Sequence, residues 1–241
     1  MPTKEHQEAV TTSKRDGLSI GDRMKRYEGA AARQLPRRIP VILRVDGRAF
    51  HTMTRKKYGK NYSEEFVSEM TVVARELQAE IAGCTFSYSQ SDEVSLLLTD
   101  YRTIRTDAWF DYDINKMVSI SAAIAAVAFH SISGTRVAFD SRAFSVPHDD
   151  VVNYFIWRQV DATRNAIQMA GREHFHHKEL HKKSCNEIQE MLFQKHGINF
   201  NSYKPHRKRG FCVVDGTLDW SPPVFTKDRS YIEKHVDVRE D

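Results

Sequence analysis

The sequence predicts an α+β fold, and three patterns carry that prediction. Short runs rich in β-branched and aromatic residues at 41 to 46, 84 to 89 and 93 to 99 read as strands. Two longer segments, 64 to 82 and 112 to 133, repeat apolar residues at helical spacing. A fourth strand falls within 137 to 146. The order is therefore strand, helix, strand, strand, helix, strand, the split βαββαβ unit of ferredoxin-like cores. The second half of the chain is mostly helical.

Residues 1 to 21 are polar and aperiodic and read as a mobile N-terminal arm. Asp22 is placed to cap a short helix through Ala32, with Met24, Tyr27 and Ala31 on one face. Leu35-Pro36 ends it. The run from Val41 stops abruptly at Asp46-Gly47, so a buried strand delivers a carboxylate to its carboxyl end. Ser63 is the next N-cap, with Glu64 and Glu65 in the first turn. Phe66, Met70, Val73, Leu77 and Ile81 face the sheet, and Gly83 stops that helix. The next two strands meet as a hairpin with Asp92 at its tip. The Ala-rich helix packs through Ile114, Met117, Ser121, Ile124, Ala128 and Ile132, and Gly134 ends it. Helices are expected at 149 to 172 and 178 to 196, then a short strand at Phe211 to Val214. Asp219-Trp220-Ser221-Pro222-Pro223 begins a charged stretch with no core pattern. The expected divisions are an arm (1–21), a catalytic core (22–147), a helical and basic region packed on it (148–215) and a polar tail (216–241).

With 28% charged and 40% hydrophobic residues, the composition is that of a soluble globular chain. The net charge is only +4, but basic residues gather at Arg55 to Lys60, Lys178 to Lys183 and Lys204 to Arg209. Such islands suit a phosphate-rich partner; a solvated surface is the other reading. Cys84, Cys185 and Cys212 show no metal spacing, which points to a reduced, cytoplasmic protein. The N-terminus lacks the apolar region of a signal peptide, and no apolar run of membrane-spanning length stands out, so no membrane partner is expected.

Two carboxylates at one sheet edge are how a protein holds Mg²⁺ against a nucleoside triphosphate. Asp46 and Asp92 are the candidates, with the Gly47 carbonyl as a further oxygen ligand. Ser91 and the backbone from Gly47 through Arg48 and Ala49 to Phe50 are placed to hold phosphate or base. Phe50 offers either a stacking face or a core side chain, and His51 either a nucleotide contact or a structural one. Lys56, Lys57 and Lys60 lie just beyond, able to screen a triphosphate or simply solvated. Arg158, Asp161 and Asn165 share one helix face, which binds RNA or nucleotide or else forms a buried ion pair. His177 and His181 have helical metal-ligand spacing, but Lys178, Lys182 and Lys183 beside them repel a cation.

The Asp46-Gly47-Arg48-Ala49-Phe50-His51 and Gln90-Ser91-Asp92-Glu93 segments together resemble the tRNA(His) guanylyltransferase family, the reverse (3′–5′) polymerases. Met24-Lys25-Arg26-Tyr27-Glu28, Trp157-Arg158-Gln159 with Asp161, Asn186-Glu187, Gly197 to Asn201 and Arg207 to Gly210 match further family elements in the same order. Each motif is weak alone; the collinear set, over about 22 to 215, is specific. The resemblance implies a polymerase-palm core in which Asp46 and Asp92 hold two Mg²⁺ ions, with Glu93 nearby. It implies that 46 to 51 and Ser91 bind GTP, ATP or another nucleotide, and that Arg44, Lys60 and Lys116 lie near the triphosphate. It also implies tRNA as partner and a homotetramer. Arg158, Asp161, Asn165, Lys182, Lys183, Arg207, Lys208 and Arg209 are then the expected RNA contacts. Members dedicated to tRNA(His) carry His-Ile-Asn-Asn where this chain has Thr163-Arg164-Asn165-Ala166. The chain is thus more similar to the guanylyltransferase-like branch of bacteria, archaea and some viruses, associated with template-directed repair of tRNA 5′ ends. Two other readings stand beside it. A palm-fold nucleotide cyclase shares the carboxylate pair but needs no RNA. A non-catalytic RNA-binding ferredoxin-like module would show aromatic RNP motifs; Phe86 and Tyr88 alternate, but no RNP1 pattern is present.

Overall fold

The computed structural model describes residues 17–59 and 63–239. Most of the expected arm, and Lys60, lie outside them. Helix α1 (Ile20–Gly29) is capped by Ser19, whose hydroxyl accepts the Asp22 N–H at 3.0 Å. Asp22 therefore sits inside the first turn, and the helix ends before Ala32. Strand β1 is Val41–Gly47. Helix α2, Phe50–Tyr58, has no sequence signature: Ala49 opens it in the left-handed region at φ 59 with no side-chain cap. Helix α3 is Glu64–Glu80, capped by Ser63. Strands β2 (Cys84–Gln90) and β3 (Glu93–Leu98) form the hairpin. Helix α4 (Ile114–Ser133) and β4 (Phe139–Ser145) complete the βαββαβ unit.

Every strand pair is antiparallel, and the sheet order is β4-β1-β3-β2-β5-β6. The first four positions are those of a ferredoxin-like, palm-like α+β core. β5 (Phe211–Val214) and β6 (Thr217–Asp219) extend the β2 edge. The later segments thus add strands to the sheet as well as packing on it.

Residue alternation separates two cores. Val41, Leu43 and Val45 of β1 join Val94, Leu96 and Leu98 of β3 against Met70, Val73 and Leu77 of α3 and Met117, Ala125 and Phe129 of α4. Ile42, Phe86, Tyr88 and Leu97 face the other way, against Val151, Val152 and Phe155 of the long helix α5 (Val151–His174). The C-terminal half of α5 leaves the sheet and builds a third core with Ile188 and Leu192. The expected helix at 178 to 196 is two: α6 (His177–Leu180) and α7 (Cys185–His196). Lys182, left-handed at φ 61, breaks them apart, and a Ser184–Glu187 capping box starts α7. Helix α8 (Pro205–Arg209) precedes β5.

Two expectations need correction. The stretch from 216 is no free tail: Phe225 and Ile232 are fully buried in the second core, and helix α9 (Ser230–Val236) packs there. Its seven residues make about two turns and carry a single apolar pair at helical spacing, Ile232 and Val236, too short a pattern to stand out in the sequence. Gln159 of α5 anchors this segment, donating to the Pro223 carbonyl at 2.9 Å and accepting the Phe225 N–H at 2.8 Å. Second, α4 is long and apolar enough to cross a membrane, with a mean hydropathy of 1.4 in its best window. In this fold it lies against the sheet through Met117, Ser121, Ala125, Ala128 and Phe129. Ile132, expected to pack inward, is exposed with Ile120 and Val127.

Candidate active site

Because β1 and β3 run antiparallel, the end of one meets the start of the other. Asp46 pairs with Glu93, and the Gly47 N–H donates to the Asp92 carbonyl at 3.1 Å. That hydrogen bond sets Asp46 and Asp92 side by side. Ser91 and Asp92 form the turn between Gln90 and Glu93; Ser91 is left-handed at φ 52, and its side chain bonds Asp92. Gly47 must be glycine for a packing reason: a Cβ there would collide with the Phe50 ring. Phe50 itself is 2% exposed and clusters with Phe66, Phe129 and Phe139. The stacking role for Phe50 is therefore withdrawn, since its ring has no free face.

Both carboxyl groups are raised above their ordinary range. Burial raises the pKa of Asp92 to about 6, and the Asp46 charge pushes the same way. Asp46 is raised by burial and by the charges of Glu93 and Asp140, while Arg44 and Arg142 pull it back. Asp46, Asp140, Arg44 and Arg142 form two cross-strand pairs between β1 and β4 on one face. Asp140 and Arg142 were missed because only strand register brings them to the site. The Arg44 Nε is buried without a hydrogen-bond partner, beside Asp46 as expected for a charge serving that carboxylate.

Glu93 points into the same face but is not a free ligand. Its carboxylate accepts Arg158 Nε at 2.7 Å and Nη2 at 2.6 Å, both groups being buried. A bidentate pair of this kind takes one lone pair of each oxygen and offsets the negative charge that would attract a metal ion. This corrects two expectations: Glu93 is a brace, and Arg158 is its partner, unavailable to RNA. Lys116 is exposed on α4, which packs on the Val45 face of the sheet, opposite the face that carries Asp46. It lies in the first turn of α4, whereas the far end of that helix, Ser133, accepts a 3.0 Å hydrogen bond from Lys57 of α2.

A cleft of about 410 Å³ opens over the carboxylates. Asp46, Ser91 and Asp92 line one side, and Asp161, Asn165 and Arg172 of α5 line the other. His206, Arg207 and Lys208 close it. Arg207 pairs with Glu173 at 2.9 Å, and Lys208 donates to the Asn201 carbonyl at 2.6 Å. Arg209 is turned inward, its Nε on the Pro222 carbonyl at 2.7 Å, and braces the fold. Arg48 and Ala49 face a separate hollow with Lys56, Thr135 and Arg136, while His51 is exposed in the first turn of α2. Lys182 and Lys183 line a third pocket beyond the cleft.

The donor set fits Mg²⁺. Among the described residues no group of three or more His, Cys, Asp or Glu side chains converges to enclose an ion. Mg²⁺ needs no such cage: it takes one or two carboxylates and fills the rest of its octahedron with water and substrate phosphate. Two facing carboxylates, one held near pKa 6, supply the negative charge that such an ion neutralises.

The family model for tRNAHis guanylyltransferase matches residues 21–147. A bacterial tRNA(His) guanylyltransferase-like protein in complex with ATP superposes with a TM-score of 0.87 at 37% identity, covering 91% of this chain and 100% of that one. A second such bacterial structure, in complex with GTP, gives 0.80 at 35% identity, covering 90% and 99%. The tRNA(His) guanylyltransferase of Debaryomyces hansenii is 29% identical over 199 residues, 72% of each chain. With more than half its length matched by the family model and the carboxylate cleft built on the matched core, this chain belongs to the tRNA(His) guanylyltransferase family and is a nucleotidyltransferase.

Proposed function

We propose that the protein adds nucleotides to the 5′ end of tRNA in the 3′–5′ direction, in a Mg²⁺-dependent reaction directed by the opposite strand. The observation that carries this reading is the pairing of Asp46 with Asp92 at the mouth of a cleft whose far wall is basic. Bound Mg²⁺ would neutralise triphosphate charge and align attacking and leaving oxygens. Asp46 and Asp92 would hold it, and Arg44 would offset their repulsion when it is absent. A 5′-monophosphate end is first joined to AMP from ATP, releasing pyrophosphate. The 3′-hydroxyl of the incoming nucleotide then attacks that 5′ phosphorus, a new phosphodiester forms and AMP leaves, the hydroxyl proton passing to solvent. On a 5′-triphosphate end the leaving group is pyrophosphate.

Template direction is supported by Thr163 to Ala166. The Thr163 hydroxyl donates to the Gln159 carbonyl within its own helix, and Asn165 and Ala166 line the cleft. Of these four positions only Asn165 matches the His-Ile-Asn-Asn element of the dedicated enzymes; the histidine and the last asparagine are replaced by Thr163 and Ala166. The bacterial neighbours, named as guanylyltransferase-like proteins with ATP or GTP bound, support the same branch and nucleotide classes. The homotetramer is part of this reading; exposed Ile120, Val127 and Ile132 on α4 offer it an apolar face.

The test uses tRNAs shortened by one 5′ nucleotide, with each of the four bases opposite the gap, labelled nucleotides and mapped product ends. The complementary nucleotide should be added fastest in each case. Addition of G alone, whatever the opposing base, would restore the dedicated guanylyltransferase. Cyclic product from GTP without RNA would establish the cyclase.

A further inference from the structure

The pocket beyond the cleft lies between the last turns of α5 and the α6–α7 loop. Its volume is about 260 Å³, and Arg172, His177, His181, Lys182 and Lys183 dominate its lining. It shares Gln168 and Arg172 with the carboxylate cleft, so the two hollows are continuous along α5.

Of the cations lining it, only Lys183 has a carboxylate partner, Glu187, among the described residues. Glu173 holds Arg207 at 2.9 Å. Glu179 accepts the His176 N–H at 3.1 Å and faces Lys195 at 3.5 Å. Glu187 holds Lys183 at 2.8 Å and caps α7 through Ser184. Arg172, His177, His181 and Lys182 are left with no carboxylate among the described residues. The His177 and His181 rings are 6.3 Å apart, but no third metal-ligating side chain joins them, and the surrounding cations oppose a metal ion. A concave site in which two cations without carboxylate partners, Arg172 and Lys182, stand beside two histidine rings selects an anion, and phosphate oxygens suit it. Lys182 also sits at φ 61, a backbone region that non-glycine residues seldom adopt, and lines the pocket from the α6–α7 loop.

We propose that this pocket is a phosphate-binding site for the RNA substrate, a second anchor past the carboxylate cleft; this rests on the RNA-directed reading above. A single nucleotide at the carboxylates does not need it. Arg172 lies eleven residues beyond Asp161, about 16 Å along the helix axis, so the ligand spanning both sites is a continuing chain of phosphates. Arg172, lining both hollows, is the junction.

The experiment measures binding of 5′-monophosphorylated tRNA lacking its first nucleotide, over a series of salt concentrations, and separately GTP binding without RNA. The variants are Lys182→Gly, Arg172→Gln and the pair His177→Gln with His181→Gln. Lys182→Gly removes the charge while suiting the left-handed backbone, so it keeps the loop folded. Each lost contact should weaken RNA binding several-fold, with GTP affinity retained in Lys182→Gly and in the paired histidine variant, whose residues lie outside the carboxylate cleft. For Lys182→Gly and Arg172→Gln, the slope of log K against log salt should become shallower by about 0.7 to 0.9. Unchanged RNA affinity and slope in all variants would overturn the proposal and leave a solvated surface. Loss of GTP affinity without loss of RNA affinity would overturn it in favour of a nucleotide site. Failure of the unaltered protein to bind RNA would sink the RNA-directed reading itself, a result separable from unchanged variants.

Discussion

On the side of the sheet covered by α3 and α4, β1 contributes Val41, Leu43 and Val45 and β3 contributes Val94, Leu96 and Leu98. On the side covered by α5, the same strands contribute Ile42, Arg44 and Asp46, and Glu93, Ser95 and Leu97. The first face is apolar from end to end. The second grades from apolar at Ile42 and Leu97 to fully charged at Asp46 and Glu93, within six positions of strand β1. Two polar groups buried on that gradient are partnered: Ser95 bonds the Tyr154 hydroxyl at 2.8 Å, and Glu93 bonds Arg158, while the Arg44 Nε has only the nearby Asp46 charge. One face therefore holds the strands together, and the other uses its partnered charges to present Asp46 and Asp92. A charge on the first face would have no such partners, and burying an unpaired charge is costly.

The sharpest way to break this contrast is to neutralise the charged end. Asp46→Asn and Asp92→Asn should each lower nucleotide addition on the order of 10³-fold, the equivalent of several kcal/mol of lost charge stabilisation, with the far-ultraviolet dichroism unchanged. Near-normal turnover in Mg²⁺ by either variant would refute the site. Next in size is the brace. Arg158→Ala should destabilise by about 3–5 kcal/mol in urea titration, because Glu93 is left buried and unpaired. Pairing Arg158→Met with Glu93→Leu should recover most of that; equal loss in the double variant would mean that Arg158 acts through packing alone.

On the apolar face, Leu96→Ala should cost about 2–5 kcal/mol through cavity formation, with the rate of nucleotide addition little changed in the fraction that stays folded. A specific loss of rate there would show that the faces are not independent. The smallest effect is a pH dependence. Asp92 is raised to about 6 from its ordinary 3.8, so the folded chain holds that proton more tightly than the unfolded one. The stability it brings is full below about 4 and lost as pH rises through about 6. Without divalent ions at pH 7, Asp92→Asn should therefore be more stable than the unaltered protein, by at most about 3 kcal/mol. That gap should close as pH falls from 7 toward 4, read as urea midpoints in chelator; a gap independent of pH would contradict the raised carboxyl.

Some of the site was legible from local spacing. Asp46-Gly47 after an apolar run, and Ser91-Asp92 between two strand runs, mark where a strand ends and a hairpin turns whatever surrounds them. Glu93 was readable as a position but not as a role, since its partner Arg158 is 65 residues away. Phe50 looked equally fit to stack or to pack, and only the ring cluster with Phe66, Phe129 and Phe139 decides it. Arg209 matched a basic island, yet the carbonyl of Pro222, beyond β6, claims it.

The sequence by itself determined the order of strands and helices, the turn residues that carry the carboxylates and the basic character of the later segments. These features arise from alternation, helical period and capping chemistry, which act over a few residues. Tertiary structure alone decided which residues share the charged face, on which face of the sheet α4 and its Lys116 lie, and how β5, β6 and Phe225 join a core that their own sequence does not announce. Those outcomes depend on strand register and on contacts between distant segments. A shift of one residue in register moves a side chain to the opposite face, and nothing in a local pattern records which register the partners will enforce.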